Sequence, residues 1–357
     1  MVQAGRMPVT LTRIADAAAD DFDALIDVRA PAEFAEDHLP GAVNLPVLDD
    51  AERARVGTIY TQESPFLARR IGAALVARNA ARHLDGYLAC KGPRFRPLVY
   101  CWRGGQRSGS FATILRQVGW RAETIEGGYR SWRRLVKAAL YDAPFRAPVV
   151  LLDGNTGTAK TQILSALRAR GVQVIDLEGL ARHRGSLFGE VPGGQPAQKG
   201  FETALAARIA ALDPARPVLV EAESSKIGAI NLPPALWRAM QAAPRIEIGA
   251  PRAVRAGYLA AAYGDIVAEP ARLGAVIAQL RPFHAAERIA DWQALAAAGE
   301  VTALAAELIT HHYDPRYAKA RARDAGTVRA RVWATSLDAA GIAAAAERVS
   351  AALQRLA

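Results

Sequence analysis

Cysteine is almost missing from this 357-residue sequence, which contains only Cys90 and Cys101. Two cysteines cannot build a disulfide framework, and they suit a reducing compartment where a thiol is kept for chemistry or packing. Neither shares a metal-ligand spacing with the six scattered histidines, among which only His311 and His312 are adjacent, so no structural metal is expected. Long apolar runs are missing too. The most hydrophobic stretches, Pro148–Leu152 and Val218–Val220, fall far short of the ~20 residues of a membrane span. Met1–Thr10 also lacks the apolar stretch of a secretory signal. These absences lead to the expectation of a cytoplasmic protein with no membrane association. Acidic residues are in deficit: 35 Asp and Glu face 45 Lys and Arg, for a formal charge of +10. Such a balance favours a polyanionic partner such as nucleic acid, because neutralising phosphates releases counterions.

The length suggests two domains at roughly 100–200 residues each, and 51% hydrophobic with 22% charged residues is an ordinary globular composition. Short apolar runs alternate with helical patterns up to about Gly249, which is α/β order. Strands are expected at Leu25–Val28, Val43–Leu45, Leu98–Tyr100, Val149–Asp153, Val172–Ile175, Pro217–Glu221 and Arg245–Ile248. Helices are expected from Pro31, over Ser64–His83, over Arg107–Val118 and over Lys160–Arg170, with an Ala-rich, largely helical tail from about Arg252. Pro144 and Pro148 mark an interdomain linker over 141–148. The divisions are then a first α/β domain over 10–140, a second parallel-sheet α/β domain over 149–250, and a helical region over 251–357 packed on it.

The first chemical motif is Cys101-Trp-Arg103-Gly104-Gly105-Gln106-Arg107-Ser108, a cysteine just past a strand on a Gly-containing loop that enters a helix. Successive N–H groups and the helix N-terminus create a positive field, which lowers a thiol pKa and favours thiolate. Arg103 and Arg107 are placed to strengthen that field and to hold an oxyanion. Cys90 has no such context and is read as a packing residue. The loop resembles the active-site loop of rhodanese sulfurtransferases, and Asp27-Val28-Arg29, Glu33-Phe34, His38 to Asn44 and Glu126-Gly127-Gly128 look like landmarks of that fold. The loop is one residue longer than the common rhodanese loop, a length also found in rhodanese-related phosphatases. The resemblance implies that Cys101 takes a chalcogen from a phosphate-bearing donor.

The second motif, Gly154-Asn155-Thr156-Gly157-Thr158-Ala159-Lys160-Thr161, follows an apolar strand and opens a helix, the context in which a P-loop cradles a diphosphate. Lys160 would neutralise the anion, and Thr161 could reach a Mg²⁺ ion. Ala159 stands where the pattern expects glycine, so its Cβ either crowds a phosphate or requires an adjusted backbone. Asp176, Glu221 and Glu223 fall at strand ends and are candidates for positioning an acid or a metal. A polar, Gly-rich stretch carrying His183, Arg184, Gln195 and Lys199 is a candidate substrate loop. Basic residues interleave with aromatics at Arg94-Phe95-Arg96, at Tyr129-Arg130 with Trp132-Arg133-Arg134, and at Arg316-Tyr317, patterns that can meet phosphates and stack on bases. Trp237, Trp292 and Trp333 read as core residues on helices.

Taken in order, these segments resemble the tRNA 2-selenouridine synthase family over almost the whole chain. Gly57-Thr58-Ile59-Tyr60, Cys101 to Ser108, His183 to Gly189, Gln195 to Phe201, Glu221 to Gly228 and Ile309 to Tyr317 carry the match. The resemblance implies an enzyme, a selenotransferase with geranyltransferase activity that replaces sulfur by selenium in wobble-position 2-thiouridine of tRNA. It implies geranyl diphosphate and selenophosphate as substrates, an S-geranylated intermediate, no tightly bound cofactor, and selenophosphate synthetase as a partner. Two other readings stay open: a sulfurtransferase or Cys-dependent phosphatase acting on small molecules, and a nucleotide-regulated tRNA-binding protein without chemistry.

Overall fold

The computed structural model describes residues 7–18, 20–318 and 327–356. The chain divides into two compact units, Met1–Pro144 with Pro196–Ala211, and Phe145–Gln195 with Leu212–Ala357. Each is α/β, built on a parallel sheet, as the element order predicts.

The first unit carries strands β1 (Ala24–Asp27), β2 (Val43–Asn44), β3 (Pro97–Tyr100) and β4 (Glu123–Thr124), all parallel, in the order β2-β1-β3-β4. The central β3 is buried throughout, which is why Pro97–Tyr100 reads as a continuous apolar run. Helices Asp50–Gln62, Pro65–Asp85 and Gln106–Val118 pack around it. Asp49 and Glu52 form a reciprocal capping box on the first of these, and Ser64 caps the second ahead of Pro65. The Asp-Val-Arg landmark has a physical basis here. Asp27 and Arg29 form a buried ion pair of 2.7 Å, and the Arg29 guanidinium lies 4.0 Å from the Tyr129 ring centroid and donates to the Asp37 carbonyl. Helix Gln198–Ala210 belongs to this unit. Thr203 donates to Asp37, Trp132 donates to Thr203, and Arg133 pairs with Glu202.

The second unit carries β5 (Val149–Gly154), β6 (Gln173–Ile175), β7 (Val218–Glu221), a small antiparallel pair β8 (Lys226–Ile227) and β9 (Ile230–Asn231), then β10 (Arg245–Gly249) and β11 (Val328–Trp333). The five-stranded sheet is parallel, with order β11-β10-β5-β7-β6, so β5 and its loop occupy the centre. Helices Lys160–Ala169 and Ala339–Gln354 share a core with the sheet through Ile163, Leu164, Val332, Ala345 and Val349. A second, helical cluster is built on Ile277, Trp292 and Leu304.

Two sequence expectations are corrected. The tail is largely helical, as expected, with β11 as an added edge strand, but Trp333 stands on that strand at 58% exposure rather than in a helical core. Trp292 is fully buried, as expected. Cys90 is an exposed residue, so its packing role fails. None of the described helices is long and apolar enough to cross a membrane.

Candidate functional site

In the first unit, β3 leads directly into Cys101, whose thiol is buried and accepts a 3.2 Å hydrogen bond from the Ser108 hydroxyl. Burial opposes the thiolate, but the Ser108 hydroxyl, the N–H groups of Ser108 and Arg103, and the Arg107 charge outweigh it and lower the thiol pKa. Arg107 does not stand free over the loop, since Glu33 takes its guanidinium at 2.6 and 3.3 Å. Arg103, Gly105 and Gln106 are exposed. The turn Glu126-Gly127-Gly128 locks the loop from behind. Tyr129 N–H donates to the Cys101 carbonyl at 2.9 Å, and Gly128 has φ +56°. A Cβ on Gly128 would fall 2.2 Å from that carbonyl oxygen, so only glycine allows the approach.

In the second unit, the Gly154–Ala159 loop leads from β5 into helix Lys160–Ala169, and residues Thr156 to Gln162 line a cavity of about 300 Å³. Ala159 adopts the left-handed conformation, φ +56° and ψ +33°, that the missing glycine would favour. It is only 4% exposed, and its methyl joins the apolar core with Leu152, Ile163 and Leu164. Lys160 Nζ donates to the Gly154 carbonyl at 3.0 Å. Burial disfavours its charge, but Tyr317, Glu178, Glu223 and Glu221 outweigh that cost and raise its pKa.

The Thr161 hydroxyl lies 3.0 Å from both Glu178 and Glu221. Glu221, fully buried, also accepts the Glu178 N–H at 2.9 Å. Burial and the neighbouring carboxylates Glu178, Asp176 and Glu223 push its pKa well up. Burial and Glu178 push Glu223 up to about 7. Asp176 instead caps the short helix Leu177–Ala181, accepting the Gly179 N–H at 2.7 Å. Among the described residues no group of three His, Cys, Asp or Glu side chains is disposed to hold a metal ion. Glu178 and Glu221 accept hydrogen bonds from the Thr161 hydroxyl, and Lys160 together with the helix N-terminus makes the loop side of the cavity positive.

Of the Gly-rich stretch, His183 and Arg184 line the cavity. Arg184 is held by Asp265 at 2.9 Å and lies over the Tyr263 ring. Gln195 instead binds the Ala181 and Ile227 carbonyls, and Lys199 stands on helix Gln198–Ala210, paired with Glu36 at 2.7 Å.

Several residues at the site carry no local sequence signal. Glu178 is one. Arg255, on helix Arg252–Ala262, donates two hydrogen bonds to the Thr156 carbonyl and two to Asp314, while Asn155 donates to the same carboxylate at 2.7 Å. Tyr317, which the sequence marks only as the aromatic of the Arg316-Tyr317 pair, lines the cavity. A second, apolar cavity of about 60 Å³ adjoins the first, sharing Thr156, Leu259 and Tyr263 and lined further by Phe188, Ile266 and Leu304. The basic-aromatic strings are corrected: Phe95, Tyr129 and Trp132 are buried, and Arg316 packs over the Phe283 ring with its guanidinium bonded to His312.

An activated cysteine at the end of a parallel strand, on a chain that also carries a P-loop on the central strand of a second sheet, defines a rhodanese-like domain joined to a P-loop-like domain. Residues 10–135 match the family model of the rhodanese-like domain, and residues 147–274 match that of the tRNA 2-selenouridine synthase AAA domain. The second unit is thus similar to the AAA domain of tRNA 2-selenouridine synthases, and the first to a rhodanese-like domain. Among its relatives, a tRNA 2-selenouridine synthase of Chromohalobacter salexigens is 41% identical over 228 residues, 64% of this chain and 61% of that protein. One of Alcanivorax borkumensis is 39% identical over 227 residues, 63% of this chain and 62% of that protein. The matches thus span about three fifths of the length of these curated relatives. A solved rhodanese-related protein from Thermoplasma volcanium aligns over 36% of this chain and 92% of its own, at 18% identity and a TM-score of 0.23.

Proposed function

We propose that this chain is a tRNA-modifying transferase that converts wobble-position 2-thiouridine into 2-selenouridine in two steps, using geranyl diphosphate and then selenophosphate. The observation that carries the reading is the pair of adjoining cavities in the second unit. One is polar and opens on the P-loop; the other is apolar, and they meet at Thr156, Leu259 and Tyr263. A prenyl diphosphate has the same division, a charged head and a hydrocarbon tail, and the apolar cavity of about 60 Å³ matches the part of the tail next to the head. With its diphosphate on the loop N–H groups and Lys160, its reactive carbon would lie at the junction. The thione sulfur attacks that carbon, the carbon–oxygen bond breaks, and its electron pair leaves with the diphosphate that Lys160 stabilises. The Cys101 thiolate then attacks C2 and geranylthiolate departs; the selenium of selenophosphate attacks C2 and displaces the Cys101 thiolate, and water cleaves the selenium–phosphorus bond to release phosphate. The relatives' names support tRNA as the substrate, and selenophosphate synthetase is the partner that would supply the second donor.

The test is incubation of the protein with 2-thiouridine-containing tRNA and both donors, omitting each in turn, with the nucleoside identified by mass spectrometry. Selenouridine dependent on both donors is expected. Lys160→Ala should block geranylation, and Cys101→Ser should accumulate geranylated tRNA. If both variants stop at the same step, the division of labour is wrong.

A further inference from the structure

The strings of basic and aromatic residues that the sequence offers for nucleic acid are largely buried, yet the first unit does expose aromatics beside its cysteine loop. A groove of about 690 Å³ is lined by Arg53, Tyr60, Arg103 and Arg107, with Leu48 and Val56 at its base. A neighbouring hollow of about 290 Å³ shares Leu48, Val56, Tyr60 and Arg107 and extends the groove to Gln106 on the cysteine loop. Tyr60 is 55% exposed, and Phe66, at the start of the next helix, is 71% exposed. No Asp or Glu lines either hollow. Glu33 binds Arg107 and lies 3.9 Å from Arg53, whereas Arg103 is exposed with no ion-pair partner among the described residues.

We propose that this groove is where single-stranded RNA of the anticodon loop docks, with Tyr60 stacking an unpaired base and Arg53 and Arg103 meeting the flanking phosphates. The proposal rests on the tRNA reading above and gives it a location. Three physical points converge on it. A cysteine that acts on a nucleobase needs that base unstacked beside its loop. An exposed aromatic ring stacks any base at about 1–3 kcal/mol, independent of sequence. A wall of arginines without carboxylates complements phosphate and repels nothing on it. The groove supplies ring and charge together, and Arg103, Gln106 and Arg107 join it directly to Cys101.

The measurement is equilibrium binding of the full chain to an anticodon stem-loop RNA bearing 2-thiouridine, by fluorescence anisotropy at several salt concentrations. Alkylation of Cys101 by iodoacetamide serves as a check on the loop. Tyr60→Ala should weaken binding about tenfold while Tyr60→Phe, which keeps the ring, stays within about twofold of wild type. Arg53→Ala should weaken binding and lower the slope of log affinity against log salt by about 0.7, the signature of one lost phosphate contact on a single strand. Alkylation rates should not change. Wild-type affinity in Tyr60→Ala, or equal loss in Tyr60→Ala and Tyr60→Phe, would overturn the groove while leaving the tRNA reading standing. Absence of RNA binding by the wild-type protein would remove both.

Discussion

Replacing Asp314 with alanine strips the Arg255 guanidinium of its carboxylate and leaves it only its bonds of 3.0 and 2.8 Å to the Thr156 carbonyl. Asn155 loses its 2.7 Å acceptor in the same stroke. Arg255 is 5% exposed and Asp314 34%, so water recovers part of what the pair loses. A hydrogen bond to a charged group is worth about 1.5–3 kcal/mol, and breaking a buried pair costs about 3–5 kcal/mol. With the partial exposure, a loss of about 2–3 kcal/mol is expected for Asp314→Ala. For a unit of this size each kcal/mol moves Tm by about 2–4 °C, so the melt should fall by about 5–10 °C. The functional consequence is separate. With Asn155 and Thr156 no longer tethered, the loop must be ordered by its ligand, and affinity for inorganic diphosphate should fall about tenfold. Asp314→Asn, which keeps an acceptor for Asn155 and loses the charge, should lie between. Calorimetric titration with diphosphate well below the melt, alongside thermal unfolding, separates the two effects. A variant that melts early yet binds diphosphate with wild-type affinity would show that the Arg255–Asp314 clamp supports the fold and not the loop.

Glu223 titrates near pH 7 because burial and Glu178 hold its proton on. Its folded pKa lies above the unfolded value, so the stability it contributes is complete below about pH 4.5 and is lost as pH rises to about 7. Ionisation also adds negative charge to the cavity at the P-loop, so affinity for inorganic diphosphate should drop through the same range. Glu223→Gln should remove that component from urea titrations and diphosphate binding compared across pH 5–8, and an unchanged profile would discount the shift. Ala159→Gly relieves a left-handed alanine, a gain of about 1–2 kcal/mol, but loses a buried methyl worth about 0.8 kcal/mol and adds unfolded-chain entropy worth about 0.4–1 kcal/mol. Urea unfolding should therefore place it within about 0.8 kcal/mol of wild type; a larger gain would mean that strain dominates at this position.

The parts legible in the sequence are those whose signal is local. Buried parallel strands such as β3 and β5 read as apolar runs, and the Cys101 and Lys160 loops each read as a strand, a glycine-containing turn and a helix start. Helix Asp50–Gln62 did not stand out because, apart from Val56 and Ile59, it offers few large apolar residues to define a face. β11 was hidden by arginines alternating along an edge strand in an alanine-rich tail. The clamp on the P-loop joins Thr156, Arg255 and Asp314, positions 59 and 99 residues apart, and no periodicity reaches that far. Glu178 is similarly silent, since only the fold brings it to Thr161. Tyr60 and Phe66 look like core residues in a list of hydrophobics, and only their exposure marks them otherwise.

Helix Gln198–Ala210 belongs to the first unit although the chain on either side of it builds the second. During synthesis, then, the rhodanese-like unit emerges without the helix that supplies Thr203 to Asp37 and Glu202 to Arg133, and Asp37, whose burial raises its pKa, waits for its partner. By the time residue 211 has left the ribosome, β5 and β6 are already outside as well. Neither unit can therefore be finished before the other has begun, and a gene fragment ending at residue 144 encodes a rhodanese-like unit that lacks one of its own helices.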